Sequence, residues 1–143
     1  MAQVPILLAE DDENHVLLIQ NLIKSCRILN PLVAVPDGEH VISYLKNEEI
    51  YADHVRYPPP ILLLLDMKMP RLGGLEVLQW LASLRPKPSF PTLVLTGYAD
   101  LKTMNEAYRL GAQSFLLKPI ERREFLPLIE AFDGIHFGQA ASK

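Results

Sequence analysis

The chain alternates short, wholly apolar runs with longer stretches in which apolar residues recur every three or four positions. Val4 to Ala9 is the first run and ends in Glu10-Asp11-Asp12, which predicts a strand with an acidic exit. Residues 14 to 29 carry Leu18, Leu22 and Cys26 at steps of four, with Ile19 and Ile23 beside them, the pattern of a helix face. Leu32 to Val35 predicts a second strand, and Asp37-Gly38 opens a helix with Val41, Ile42 and Leu45 on one side. Ile61 to Leu65 is uninterruptedly apolar and closes on Asp66, with prolines before it and a Pro-Gly turn after it. Such a run reads as a strand buried on both faces. Arg71-Leu72-Gly73-Gly74 turns into a helix bearing Leu75, Leu78, Leu81 and Ala82, and Thr92 to Thr96 predicts a fourth strand. Asp100 can cap the next helix, which sets Leu101, Met104, Ala107 and Tyr108 on one face and ends at Gly111. Ser114 to Leu117 is the fifth strand. The last helix carries Phe125, Leu128, Ile129 and Phe132, and Pro127 predicts that it bends or begins late.

Five strands alternating with five helices specify an α/β fold, a parallel sheet covered on both faces. Right-handed crossovers divide the helices between those faces. Residues 47 to 60 exceed the usual connection of roughly 2–6 residues, for which a tolerated surface insertion is the ordinary explanation. One domain is expected over residues 4–132, followed by a tail, 133–143, that is small and polar at its end and expected to fray.

Composition narrows the classes. At 143 residues and 49% hydrophobic content the chain can bury a sizeable core and is not disordered. The net charge of −3, with scattered Lys and Arg, argues against nucleic acid as a partner. No apolar run approaches the roughly 20 residues of a membrane span. The start lacks a basic segment, and Asp11 and Asp12 interrupt any signal-peptide core, so a cytoplasmic protein is expected. Cys26 is the only cysteine, which excludes an internal disulfide and a Cys metal cluster and suits a small core residue.

The strand ends carry the chemistry. In a parallel sheet Glu10, Asp11, Asp66, Thr96 and Lys118 all fall at one edge. Singly, each has an ordinary explanation as a cap, a helix-entry charge or a solvated lysine. Together they are different, because carboxylates gathered at one site raise one another's pKa or demand a cation. Oxygen ligands with retained waters suit Mg²⁺, and Lys118 adds a fixed positive charge. The same set suits a phosphoryl group: a carboxylate nucleophile, positive charge, and a hydroxyl for a remaining oxygen.

Here the sequence resembles the receiver domain of two-component response regulators (CheY-like). The residues that carry the resemblance are Leu8-Ala9-Glu10-Asp11-Asp12, Leu65-Asp66-Met67-Lys68-Met69-Pro70 with Gly73-Gly74, Leu95-Thr96-Gly97, and Phe115-Leu116-Leu117-Lys118-Pro119. The resemblance implies a flavodoxin-like fold with strand order 2-1-3-4-5. It also implies roles. Asp66 would accept a phosphoryl group from a sensor histidine kinase or a phosphotransfer protein. Asp11, Asp66 and the Lys68 main-chain oxygen would bind Mg²⁺ (or Mn²⁺), with Glu10 acting through water. Lys118 would pair with the phosphoryl group, Thr96 would turn onto one of its oxygens, and Phe115 would follow as the aromatic switch. The Lys118–Pro119 bond would be cis.

Some positions depart from the pattern. Glu10 stands where Asp is usual, Asp12 is offset from the ligand positions, and Phe115 lacks a hydroxyl, so its switch rests on packing. Lys68 and Tyr98, each two residues beyond a site residue, are expected to restrict the attacking water and slow loss of the phosphoryl group. The 47–60 insertion and the expected lack of an output domain resemble the stand-alone response regulators that pair with bacterial phytochrome-type kinases. Such a chain is a phosphoacceptor, not an enzyme with an external substrate. Its output is expected through protein contact, onward phosphotransfer, or a homodimer on the face from helix four through strand five to helix five. The alternative is a constitutive interaction module with a silent site, against which the retained Glu10, Asp11, Asp66, Thr96 and Lys118 argue. A phosphatase with an Asp nucleophile would want a carboxylate where Lys68 stands, and an acidic first turn would repel a flavin phosphate.

Overall fold

A computed structural model of the chain describes residues 4–98 and 100–139. The strands are β1 (Ile6–Ala9), β2 (Leu32–Val35), β3 (Leu62–Asp66), β4 (Thr92–Thr96) and β5 (Ser114–Leu117). The helices are α1 (Glu13–Ser25), α2 (Gly38–Lys46), α3 (Gly74–Ser83), α4 (Leu101–Arg109) and α5 (Arg122–Glu130). The sheet has the order β2-β1-β3-β4-β5 and is parallel throughout, the expected flavodoxin-like arrangement. Every residue of β1, β3 and β4 is buried, which is why these segments carry uninterrupted apolar runs.

Alternation along the strands splits the core in two. Leu7, Ala9, Leu63, Leu65 and Val94 face α2 and α3, with Ala107 of α4. Ile6, Leu8, Leu62, Leu64, Leu93 and Leu95 face α1 and α5. Each helix then presents the row that fits the sheet. In α1 that row is Ile19 and Ile23, continued by Cys26 at the helix end, with Leu22 packed beside it; of the expected face only Leu18, 60% exposed, is turned away from the core. In α4 only Ala107 is buried, while Leu101 and Tyr108 lie open to solvent. Gly111, at φ +109°, closes α4: its N–H donates to the Tyr108 carbonyl, and the Ala112 N–H donates to the Ala107 carbonyl, both at 3.0 Å. The expected late start of α5 does not occur, because the helix begins at Arg122 and carries Pro127 inside it.

The 47–60 segment is a built element. A single 3₁₀ turn, Glu49–Tyr51, places Tyr51 against Tyr44 and Tyr57, with ring centroids 5.2–5.8 Å apart. The Tyr44 hydroxyl donates to the Pro58 carbonyl at 2.8 Å, and the Asn47 side-chain amide donates to the Tyr51 and Tyr57 carbonyls. The expected fraying of the tail is also overturned through residue 139. Buried Asn30 donates to the Val4 and Gly134 carbonyls and accepts from the His136 N–H. The Leu29 N–H donates to the His136 carbonyl at 2.7 Å, and the Gly138 N–H to the Arg27 carbonyl at 2.7 Å. Residues 140–143, the end of the tail, lie outside the described residues. Among the described residues no helix is long and apolar enough to cross a membrane.

Candidate functional site

The register of the sheet assembles the site. Ala9 pairs with Leu65, so Glu10 and Asp66 leave neighbouring strands side by side. Asp66 pairs with Leu95, and Thr96 with Leu117, which sets Thr96 and Lys118 at the same edge. Glu10, Asp66 and Thr96 are buried there, and Asp11 is exposed beside them. Carboxylate oxygens of Glu10, Asp11 and Asp66 all lie within 4.8 Å of one another. The Lys118 ammonium reaches Asp66 Oδ2 at 3.2 Å and donates to Glu10 Oε1. Gly74 lets α3 start this close to the site, since a Cβ there would stand 2.7 Å from the Asp66 carbonyl oxygen. The Lys118–Pro119 bond is cis, as the resemblance implied.

Burial pushes the Glu10 carboxyl above its ordinary value of 4.5, and the Asp66 charge adds to that rise against the opposing bonds from Lys118 and the Asp12 N–H. Burial also opposes the Lys118 charge, yet the hydrogen bond to Glu10 and the charges of Asp66 and Glu10 hold its ammonium above 10.5. At an effective dielectric near 20, two unit charges about 5 Å apart repel by about 3 kcal/mol. Three carboxylates against one ammonium leave two negative charges, which a divalent cation cancels. All three side-chain donors are hard oxygens, the ligand type that Mg²⁺ and Mn²⁺ take. Asp12 is not among them, because its carboxylate caps α1 by accepting from the Asn14 N–H at 2.8 Å.

The remaining candidates surround this centre. The Thr96 hydroxyl donates to the Tyr98 carbonyl at 2.6 Å, and the Lys118 N–H donates to the Thr96 carbonyl at 2.8 Å. The Lys68 N–H donates to Asp66 Oδ1 at 3.3 Å, and the Lys68 and Tyr98 side chains are exposed. Phe115 is half-buried, its ring 5.2 Å from that of Tyr108 on α4. Sequence reasoning missed His15, whose Nδ1 lies 3.1 Å from the Lys118 ammonium. Its position on the first turn of α1, five residues after Glu10, was the available signal. It also took Asp37 only for a helix opening. Asp37 is fully buried and accepts from the His40 N–H, the His40 ring and the Arg71 guanidinium.

Residues 6–130 match the family model of the response regulator receiver domain. A protein-glutamate methylesterase/protein-glutamine glutaminase of Desulfotalea psychrophila is 34% identical over 76% of the chain, which spans only 30% of that protein's length. The response regulator Rcp1 of Synechocystis is 27% identical over 90% of the chain and 85% of its own. The crystal structure of Mn²⁺-bound Rcp1 has a TM-score of 0.76 at 25% identity and covers 95% of this chain and 99% of that one. The phosphorylated cyanobacterial phytochrome response regulator RcpA has a TM-score of 0.75 at 27% identity and 89% coverage of both chains.

Proposed function

The chain belongs to the response regulator receiver family, and from that premise we propose that Asp66 accepts a phosphoryl group from a sensor histidine kinase or phosphotransfer protein in an Mg²⁺-dependent reaction. The observation that carries this reading is the Glu10–Asp11–Asp66 oxygen cluster with the Lys118 ammonium 3.2 Å from Asp66. The receiver domain is taken as residues 4–132.

An Asp66 carboxylate oxygen attacks the phosphorus, a P–O bond forms, and the P–N bond to the donor imidazole breaks, leaving a neutral histidine on the partner. Mg²⁺ or Mn²⁺, held by Asp11, Asp66 and the Lys68 main-chain oxygen, with Glu10 acting through water, would neutralise phosphoryl charge. The Mn²⁺-bound Rcp1 supports that choice of ion. Lys118 is already charged and in place to pair with a phosphoryl oxygen. The Thr96 hydroxyl releases the Tyr98 carbonyl and turns to another oxygen, and Phe115 repacks with it. Lys68 and Tyr98 flank the product and slow its hydrolysis.

The partner has to bring its phosphohistidine to this edge. Beside it, α1 and the segment after β5 leave a groove of about 400 Å³ lined by His15, Leu18, Leu22, Pro119 and Ile120. Leu18 in this lining is exposed, and an amphipathic helix of the partner fits such a surface. The likeness to RcpA, a phytochrome response regulator, supports a phytochrome-type kinase as the partner, and a cytoplasmic location goes with that reading. Output follows through protein contact or onward phosphotransfer. The test is incubation with phosphoramidate or acetyl phosphate and Mg²⁺, then intact-mass measurement. One added phosphoryl group is expected, absent from Asp66→Asn and after chelation of the metal. No mass gain by the wild type would overturn the reading in favour of a silent interaction module.

A further inference from the structure

The β3–α3 connection, residues 67–73, carries Lys68, whose main-chain oxygen is the third protein ligand in the reading above. The ends of this loop are tied to the sheet and to each other. The Met67 N–H donates to the Leu95 carbonyl at 3.2 Å, and the Gly74 N–H to the Met67 carbonyl at 3.2 Å. Within the loop the Lys68 N–H donates to Asp66 Oδ1 at 3.3 Å and the Leu72 N–H to the Pro70 carbonyl at 2.7 Å, which closes a turn. Past Lys68 the side-chain anchor comes from α2. Asp37 Oδ2 accepts from Arg71 Nε at 2.8 Å and from the second nitrogen of the same guanidinium. The next residue, Gly38, donates its N–H to the Leu72 carbonyl at 2.9 Å. A Cβ on Gly38 would stand 2.3 Å from that oxygen, so only glycine permits the approach.

Helix capping explains only half of Asp37. Its Oδ1 accepts from the His40 N–H at 2.8 Å and from the His40 ring at 2.9 Å, and the His40 ring meets the edge of Tyr51 at 6.0 Å. Its Oδ2 is free of α2 and is taken by Arg71, 34 residues away in the chain. Arg71 in turn holds φ +66°, a left-handed conformation that a residue with a side chain leaves unless its surroundings hold it. A strained residue, an ion pair and a backbone bond thus meet at one point, three residues past Lys68.

We propose that Asp37 and Arg71 are positioning residues for the metal-binding loop, tying it to α2 so that the Lys68 main-chain oxygen is held toward the carboxylates of Asp11 and Asp66. The inference rests on the metal site proposed above. The insertion belongs to the same device, since Tyr51 buttresses His40 and thereby the α2 end of the tie. Loss of the tie frees residues 68–72 and weakens metal binding without touching a ligand.

Mn²⁺ titration by calorimetry tests this on the unphosphorylated chain. Arg71→Gly deletes the tie but accepts the left-handed backbone, and because the Arg71 side chain is 54% exposed the variant is expected to fold, which its thermal unfolding checks. Its Mn²⁺ dissociation constant is expected to rise about tenfold, the scale on which partners of metal ligands act, and Arg71→Lys is expected to recover part of the loss. Phosphoryl gain from phosphoramidate should be slow at low Mn²⁺ and return to the wild-type rate at saturating Mn²⁺, a rescue that a general loss of stability would not give. Wild-type affinity in Arg71→Gly would overturn the positioning role alone. Failure of the wild type to bind Mn²⁺ would overturn the metal site and this inference with it.

Discussion

Asp37 shows how one side chain can serve two elements. Burial pushes its carboxyl up, but the bonds from the His40 ring, the His40 N–H and Arg71 together outweigh burial and hold it below the ordinary 3.8. A carboxyl depressed in the folded state stabilises the protein above its unfolded pKa and loses that contribution as the pH falls through the folded value. Asp37→Asn keeps the shape and the cap acceptor but removes the charge. It is expected to cost about 1.5–3 kcal/mol at pH 7, the worth of hydrogen bonds to a charged group. Urea unfolding of both proteins should show that gap narrowing as the pH is lowered below about 4. A gap independent of pH would show that the charge contributes nothing. The cap was legible in Asp37-Gly38, because capping is local. The Arg71 partner was not, because only the folded chain brings those residues together.

Strands were the most legible elements, and the reason is physical. Each central strand is buried on both faces, so its whole sequence answers to one requirement: Thr92–Thr96 has the expected bounds, and β1 and β3 differ only at their starts, Ile6 and Leu62 in place of Val4 and Ile61, while the edge strands Leu32–Val35 and Ser114–Leu117 also have the expected bounds. A helix answers only along the row that meets the sheet, and several apolar rows compete in α1. The 47–60 segment was the least legible, because its core is built from three tyrosines that look like surface residues in the sequence. The Tyr44 hydroxyl is the test of that element. Burial, with smaller contributions from Tyr57 and Tyr51, pushes its pKa up to about 12. Tyr44→Phe leaves the Pro58 carbonyl without its donor and is expected to cost about 1–3 kcal/mol. Limited proteolysis should then cut within 47–60 faster than in the wild type, and the last phenol to ionise in a spectrophotometric titration should disappear. Unchanged cleavage would mean that the ring stacking alone holds the segment.

At the scale of the molecule, a parallel sheet delivers every strand exit to one edge, which is why the carboxylates, Thr96 and Lys118 could be grouped from sequence before any geometry was known. What the sheet does not dictate is the surface that reads the site. Phe115 and Leu117 sit on the same side of edge strand β5, two residues apart. Tyr108 covers the Phe115 ring at 5.2 Å, while Leu117 is 57% exposed and Leu101, at the start of α4, is 73% exposed. Scattered apolar residues on a surface need no explanation, but these flank Phe115, the residue proposed above to repack as Thr96 turns. Movement of Thr96 onto a phosphoryl oxygen would reset Phe115, then Tyr108, and so change the apolar face that α4 and β5 present. Phosphorylation is therefore expected to drive self-association through this face. Light scattering after size exclusion, with and without phosphoramidate and Mg²⁺, should show the mass doubling only in the phosphorylated sample. Leu117→Glu places a charge at the centre of the face and should leave phosphoryl gain intact while keeping the chain monomeric. A phosphorylated wild type that stays monomeric would reject self-association, and the face would then serve a different protein. Doubling that survives Leu117→Glu would place the dimer contact elsewhere.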